Sequence, residues 1–228
     1  MTIADRYTGD QYVTSNPDWH VADSPWKAAQ ILEMLKAEPV ETVCEVGCGA
    51  GEILRQLHDR MPATRRLVGY EIADAPLTMA AERATERLSF KLADAASDDE
   101  VFDLMIVMDV IEHVGDPIAF LESLRFKAKR TILHVPLDLS VQSVIRPGKL
   151  TSWRESVGHI HYFTPETAIA TVRDAGYVIR GHAFTRSFDL EATTVKARLA
   201  RVPRRLLPEA ITVRLLGGYS ILIDASNR

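Results

Sequence analysis

Residues 43–51, VCEVGCGAG, constrain this chain more than any other stretch. A short apolar run ending at Val46 reads as a buried strand and breaks at once into glycines at 47, 49 and 51. Glycine there permits positive φ and lets backbone N–H groups approach a ligand with no Cβ in the way. Ile53, Leu54, Leu57 and Met61 follow at helical spacing. Strand, glycine turn and helix in this order form a nucleotide cradle at the carboxyl ends of an open parallel sheet.

The turn departs from the dinucleotide fingerprint. G-x-G-x-x-G would place its third glycine at 52, where Glu52 stands. The observed pattern is E-V-G-C-G-A-G, with Glu45 two residues before the first glycine. A carboxylate at that point repels pyrophosphate and suits a ligand carrying an ammonium or sulfonium group. The stretch resembles motif I of the class I S-adenosylmethionine (SAM) dependent methyltransferases. A nucleotide-dependent oxidoreductase, the rival enzyme, fails at Glu52 and gives Glu45 no purpose.

The resemblance implies a set of cofactor residues. Gly47, Cys48, Gly49 and Gly51 shape the cradle, and Glu45 supports the amino-acid end of SAM. A second strand over 66–72 ends on Glu71, about twenty residues beyond the glycine turn, where an acid accepts hydrogen bonds from both ribose hydroxyls; Ile72 follows it. A third strand over 89–94 ends on Asp94, which the family would set against the adenine amino group with Ala95 beside the ring. Asp109 and Val110 stand at the carboxyl end of a central strand over 102–108. The continuation IEHV resembles motif IV of small-molecule methyltransferases, including those that O-methylate quinone precursors. Glu112 and His113 would face the transferred methyl or brace the loop around it.

Taken in order, the chain alternates strands and helices from 43 to 136, which predicts a doubly wound, Rossmann-like α/β sheet with helices on both faces. Ser24-Pro25 predicts an N-cap and first-turn proline for a helix carrying Ala28, Ile31, Leu32 and Leu35, so residues 1–38 form an N-terminal cap over the pocket. Within it Trp19, Trp26 and Lys27 serve either to pack and solvate the cap or to present aromatic faces to a sulfonium. Residues 76–88 predict another helix, and 117–127 the next, opened by Asp116-Pro117. Residues 137–158 read as an irregular connection on the ligand side, so 137–163 is the natural lid for substrate contacts. Residues 177–184 and 219–224 read as the sixth and seventh strands, which the resemblance implies are antiparallel neighbours. About thirty residues, 189–217, intervene as an insertion carrying Lys196, Arg198, Arg201, Arg204 and Arg205, which reads as a solvated charged face.

The stretch GHIHYFT at 158–164, if extended, puts His159 and His161 on one face. Two imidazoles invite a metal, but no nearby acid or third histidine completes a ligand set, and none is expected. His159, His161 and His113 are instead the candidates for a catalytic base, since neutral imidazole takes a proton near pH 7. The alternative is a histidine pair that hydrogen-bonds the lid.

At 228 residues with a formal net charge of −4, the chain is one domain without the basic footprint of a nucleic-acid binder. No apolar stretch reaches the length of a membrane span, and MTIADRYTGD lacks an apolar signal core, so a cytoplasmic location is expected. Cys44 and Cys48 flank the end of the first strand, poorly placed for a disulfide, and are read as reduced. The activity that the resemblance implies is transfer of the SAM methyl group to a small-molecule hydroxyl with a histidine base, leaving S-adenosylhomocysteine. N-methylation of an amine without a dedicated base is the alternative, and a non-catalytic SAM-binding scaffold the non-enzymatic one.

Overall fold

The computed structural model describes Trp19 and residues 21–36, 38–187 and 206–227. The expectations for the first eighteen residues and for the basic run 196–205 fall outside the described residues. Helices α1 (Ser24–Leu35), α2 (Glu52–Arg60), α3 (Asp74–Ala81) and α4 (Pro117–Leu124) alternate with strands β1 (Thr42–Val46), β2 (Arg66–Glu71), β3 (Leu88–Leu92), β4 (Phe102–Met108) and β5 (Ala128–Pro136). Beyond them come α5 (Val141–Val144), α6 (Lys149–Ser156), α7 (Pro165–Asp174), β6 (Val178–Thr185), α8 (Glu209–Leu216) and β7 (Ser220–Ser226).

The seven strands are ordered β3-β2-β1-β4-β5-β7-β6. Strand β7 runs antiparallel to both β5 and β6, as expected. Strand order reverses between β1 and β4, and ligands of such sheets bind outside the strands' carboxyl ends at that point. Side-chain alternation along β4 divides the interior. Leu104, Ile106 and Met108 join Ala28, Ile31, Leu54 and Leu57 of α1 and α2 on one face. Met105 and Val107 join Leu121, Leu124, Ala168 and Val172 of α4 and α7 on the other. Both faces being covered, the central strands are apolar on both sides.

Side-chain caps open three of the described α-helices. The Asp116 side chain accepts hydrogen bonds from the Ile118 and Ala119 N–H groups ahead of Pro117. Thr164 and Thr167 form a capping box around Pro165. Helix α1 differs from expectation: a 3-10 turn over Val21–Asp23 runs into it and keeps Asp23 helical, so Ser24 is its first residue rather than its cap. The expected helix over 76–88 is shorter, ending at Ala81. Arg83 then turns onto Glu52, and the Thr85 hydroxyl accepts from Arg87 and Leu88 N–H groups at the entry to β3. The connection expected to be irregular carries α5 and α6, the former opened by a Ser140/Ser143 capping box.

Glu52, the residue that breaks the dinucleotide fingerprint, is a clamp. Its carboxylate accepts hydrogen bonds from Arg55, Gln56 and Arg83, tying α2 to the segment after α3. Burial acts to raise its pKa, but those bonds outweigh it and hold the carboxyl at about 2. A carboxylate depressed in the folded state adds stability above its unfolded pKa of 4.5, and that stability is lost as pH falls towards 2. Glu52→Gln is therefore expected to cost about 1.5–3 kcal/mol near neutral pH. It should also flatten the fall of the urea midpoint across that acid window. An unaltered acid slope in the variant would refute the clamp.

Candidate functional site

A cavity of about 770 Å³ opens at the carboxyl ends of β1 and β4, bounded by α1, the glycine turn and the 137–159 segment. Its cofactor wall follows from the β1–α2 turn. Gly49 has φ +52 and lines the cavity, and a Cβ built there would meet nothing within 4 Å, so the missing side chain leaves backbone facing open space. Gly51 is different. It adopts φ +76 as the residue capping α2, and a Cβ would lie 2.5 Å from the Phe90 ring, so it serves helix–sheet packing rather than the cavity wall. Gly47 and Cys48 line the cavity, and both backbone N–H groups donate to the Tyr70 carbonyl, fixing the turn on β2. Cys44 and Cys48 are free and buried, and burial pushes both thiols up.

Glu71 ends β2 and is only 8% exposed. One carboxylate oxygen accepts from Gly49 N–H at 3.0 Å, and the other from Ile72 and Ala73 N–H at 2.8 and 3.0 Å. The acid thus holds the glycine turn itself and lines the cavity beside Ile72. Glu45 is 1% exposed, lines the same cavity, and has an Oε2 with no hydrogen-bond partner. Burial raises its pKa well above the ordinary carboxylate value, while Lys27 opposes the rise. A buried carboxylate oxygen without a hydrogen-bond partner, beside an open glycine turn, fits a cationic group such as the ammonium of SAM.

Asp94 and Ala95 stand apart from this wall. The Asp94 carboxylate caps the 3-10 turn Ala95–Ser97 by accepting from Ala96 N–H, and Ala95 is buried against the sheet. Neither lines the cavity.

The floor is a chain of charges. Asp109 sits at φ +53 just after β4, where few residues other than glycine, asparagine and aspartate are found. One of its oxygens meets Lys27 Nζ at 2.8 Å, and the other His134 Nδ1 at 2.6 Å. His134 Nε2 reaches the Thr185 hydroxyl at 2.8 Å. Burial disfavours the Asp109 charge, but His134 and Lys27 outweigh it and hold its pKa well below the usual value. Burial likewise acts to lower the Lys27 pKa, and Asp109 raises it beyond the ordinary value. Lys27 therefore links the cap helix to the β4 turn, beside Val110 on the same wall.

Glu112, His113 and His159 line the same cavity. Glu112 is fully buried with both carboxylate oxygens unpartnered. Burial, then Asp109, raise its pKa well above normal. Its backbone carbonyl accepts both Ile160 and His161 N–H groups, at 2.9 and 3.1 Å, which docks the 158–161 segment on the β4 turn. His159 is thereby brought to 4.0 Å from Glu112 Oε1, and His113 lies 3.8 Å from the same oxygen. His159 Nδ1 meets Asp138 Oδ2 at 2.6 Å, which fixes the ring and turns Nε2 inwards.

The expectation of His159 and His161 on one face is corrected here. Two successive N–H groups on one carbonyl bend the segment, no strand forms, and the alternation fails. His159 lines the cavity; His161 does not, its ring lying against Phe163 with Nε2 buried and unpartnered. The acid and third histidine that the sequence did not place beside His159 are Glu112 and His113. Asp138 and His134 were not singled out either. The one signal for His134 was a polar residue in the apolar run TILHV, and for Asp138 an acid just past Pro136.

Comparisons with known proteins bear on the family and the fold. A family model described as a methyltransferase domain matches residues 21–181. Nodulation protein S of Rhizobium tropici is 27% identical over 124 residues, covering 48% of this chain and 50% of the relative. The ubiquinone biosynthesis O-methyltransferase of Actinobacillus pleuropneumoniae serotype 5b (strain L20) is 26% identical over 143 residues, 54% and 60% of the two chains. The matched region thus spans between half and three fifths of these relatives' length. Among solved structures, the complex between the Haloferax volcanii Trm112 methyltransferase activator and the putative methyltransferase contains a chain matching at TM-score 0.68. That match has 20% identity and covers 96% of each chain. The N-methyltransferase NodS of Bradyrhizobium japonicum WM9, bound to S-adenosylhomocysteine, matches at TM-score 0.60, 16% identity and 98% and 95% coverage. No described helix is long and apolar enough to cross a membrane. The family model spans well over half of the chain, which therefore belongs to the methyltransferase-domain family.

Proposed function

We propose that the chain methylates a hydroxyl oxygen of a small-molecule acceptor seated against Glu112, His113 and His159. One observation carries this reading: a single cavity is lined both by Glu45, Gly49 and Glu71 and by this buried cluster. Bound SAM supplies a methyl group already activated on sulfonium. The chain's own part is to align acceptor, methyl and sulfur in a pocket shielded from water. Glu71 and the glycine turn hold the nucleoside end, Glu45 anchors the ammonium, and the cap helix excludes solvent through Lys27. His113 and His159, the latter oriented by Asp138, are the histidines that meet the acceptor hydroxyl. The role foreseen for a histidine base rests with these two and not with His161.

A second reading, N-methylation of a small amine, is favoured by the unpartnered carboxyl of Glu112, which suits an ammonium group. A turnover assay over hydroxylated aromatics, sugars and amines separates the two by acceptor class. With the acceptor in hand, His113→Ala and His159→Ala are each expected to lower kcat by about 10²–10⁴-fold. SAM affinity should stay unchanged, and His161→Ala should retain activity. Full turnover in both of the first two variants, or an equal loss in the third, would overturn the assignment.

A further inference from the structure

We propose that Glu112, His113 and His159 form a binding site for a divalent first-row transition metal, which activates the acceptor hydroxyl. The proposal rests on the acceptor wall described above and gives His113 and His159 the part of metal ligands in place of that of a base.

Geometry carries it. The three side chains offer one carboxylate oxygen and two imidazole nitrogens, all within 4.8 Å of one another. The two histidine rings lie 5.0 Å apart between centroids, steeply inclined. A tetrahedral ion with bonds of about 2.0–2.1 Å sets its ligand atoms roughly 3.3 Å apart. The 3.8 and 4.0 Å separations from Glu112 Oε1 come near that value, and small side-chain rotations close the difference. Glu112 supplies the independent sign of a ligand. A fully buried carboxyl with both oxygens unpartnered stands among groups that do not satisfy it, in a chain whose other buried acids at the site are hydrogen-bonded or lack one partner only. A bound cation removes that deficit.

The surroundings match a built site. Metal-binding histidines usually hold their second ring nitrogen on a carboxylate, and His159 Nδ1 does so on Asp138 at 2.6 Å. The backbone clasp between Glu112 and residues 160–161 sets two segments distant in sequence in the ligating arrangement. Two imidazoles and one carboxylate select a zinc-, iron- or cobalt-class ion over magnesium or calcium, which prefer oxygen ligands. Three protein ligands leave a coordination position open, and the cavity lies there.

The chemistry balances without a redox partner. The acceptor hydroxyl coordinates the ion and releases its proton to solvent, the metal lowering its pKa as it does that of water. The oxygen then attacks the methyl carbon. The C–O bond forms as the C–S bond breaks, and the electron pair stays on sulfur, giving S-adenosylhomocysteine and a methyl ether. Methyl transfer from a sulfonium needs no metal in itself; the ion's part is confined to the acceptor.

The test uses the full chain saturated with S-adenosylhomocysteine and titrated with Co²⁺, read by visible d–d absorption and calorimetry. One equivalent is expected to bind with a spectrum of low coordination number. Glu112→Gln and His159→Ala should abolish that band, and Asp138→Asn should weaken binding about 10–100-fold. S-adenosylhomocysteine affinity, measured in parallel, reports folding of each variant. Should Glu112→Gln fail to fold, His159→Ala, on a more exposed segment, decides the matter alone. No saturable cobalt site, or one insensitive to the variants that fold, would overturn the metal while cofactor binding left the methyltransferase reading standing. Cobalt binding by a chain with no affinity for the cofactor product would overturn that reading instead.

Discussion

Glu71→Ala is expected to weaken SAM binding by about 1.5–3 kcal/mol, or roughly tenfold to 150-fold, the range for a hydrogen bond to a charged group. The effect has two sources. One is the acceptor that Glu71 offers the ribose hydroxyls in the proposed cofactor site. The other is internal: the carboxylate accepts from Gly49, Ile72 and Ala73 N–H groups, so its removal leaves three backbone donors without partners and frees the glycine turn. Glu71→Gln keeps the shape and one accepting oxygen, and should retain an intermediate affinity. Calorimetric titration with S-adenosylhomocysteine ranks the three proteins. Equal affinity in wild type and Glu71→Ala would refute the cofactor wall as drawn.

Lys27→Met should have the larger effect on stability. The variant keeps the aliphatic stem and removes the charge, so packing of α1 is largely preserved. What it breaks is the 2.8 Å contact with Asp109. Losing one partner of a buried ion pair costs about 3–5 kcal/mol, and the lower end applies because Asp109 keeps His134 and its side chain is 25% exposed. The cap helix loses its tie to the β4 turn, so SAM affinity should fall with stability. His134→Ala acts on the same carboxylate from β5 and should be less than additive with Lys27→Met. Denaturant midpoints of the two single variants and the double variant check this; full additivity would show that the three groups do not form one network.

The comparison of α1 with the 137–163 segment shows where sequence reasoning stopped. Helix α1, β1 and the glycine turn were legible because their signals are local: a proline near the helix start, an apolar stripe, and glycines where φ is positive. The functions of Gly49 and Gly51 were not separable, since one faces open space and the other the Phe90 ring from β3. In the lid, α5 and α6 are only four and eight residues long, too short for periodicity to show. The placing of Asp94 as a cofactor residue came from family pattern alone, and its carboxylate serves a local turn.

Sequence by itself determined the layered α/β architecture, the cradle and the acids at the ends of β1 and β2, because strand alternation and glycine conformations are properties of neighbouring residues. Only the tertiary structure decided the acceptor wall. His159 meets Glu112 and His113 across about 46 residues through two backbone hydrogen bonds to one carbonyl, and Lys27 meets Asp109 across about 82. Such encounters depend on which strands lie adjacent in the sheet and how the intervening chain returns over them. No spacing along the chain encodes that return.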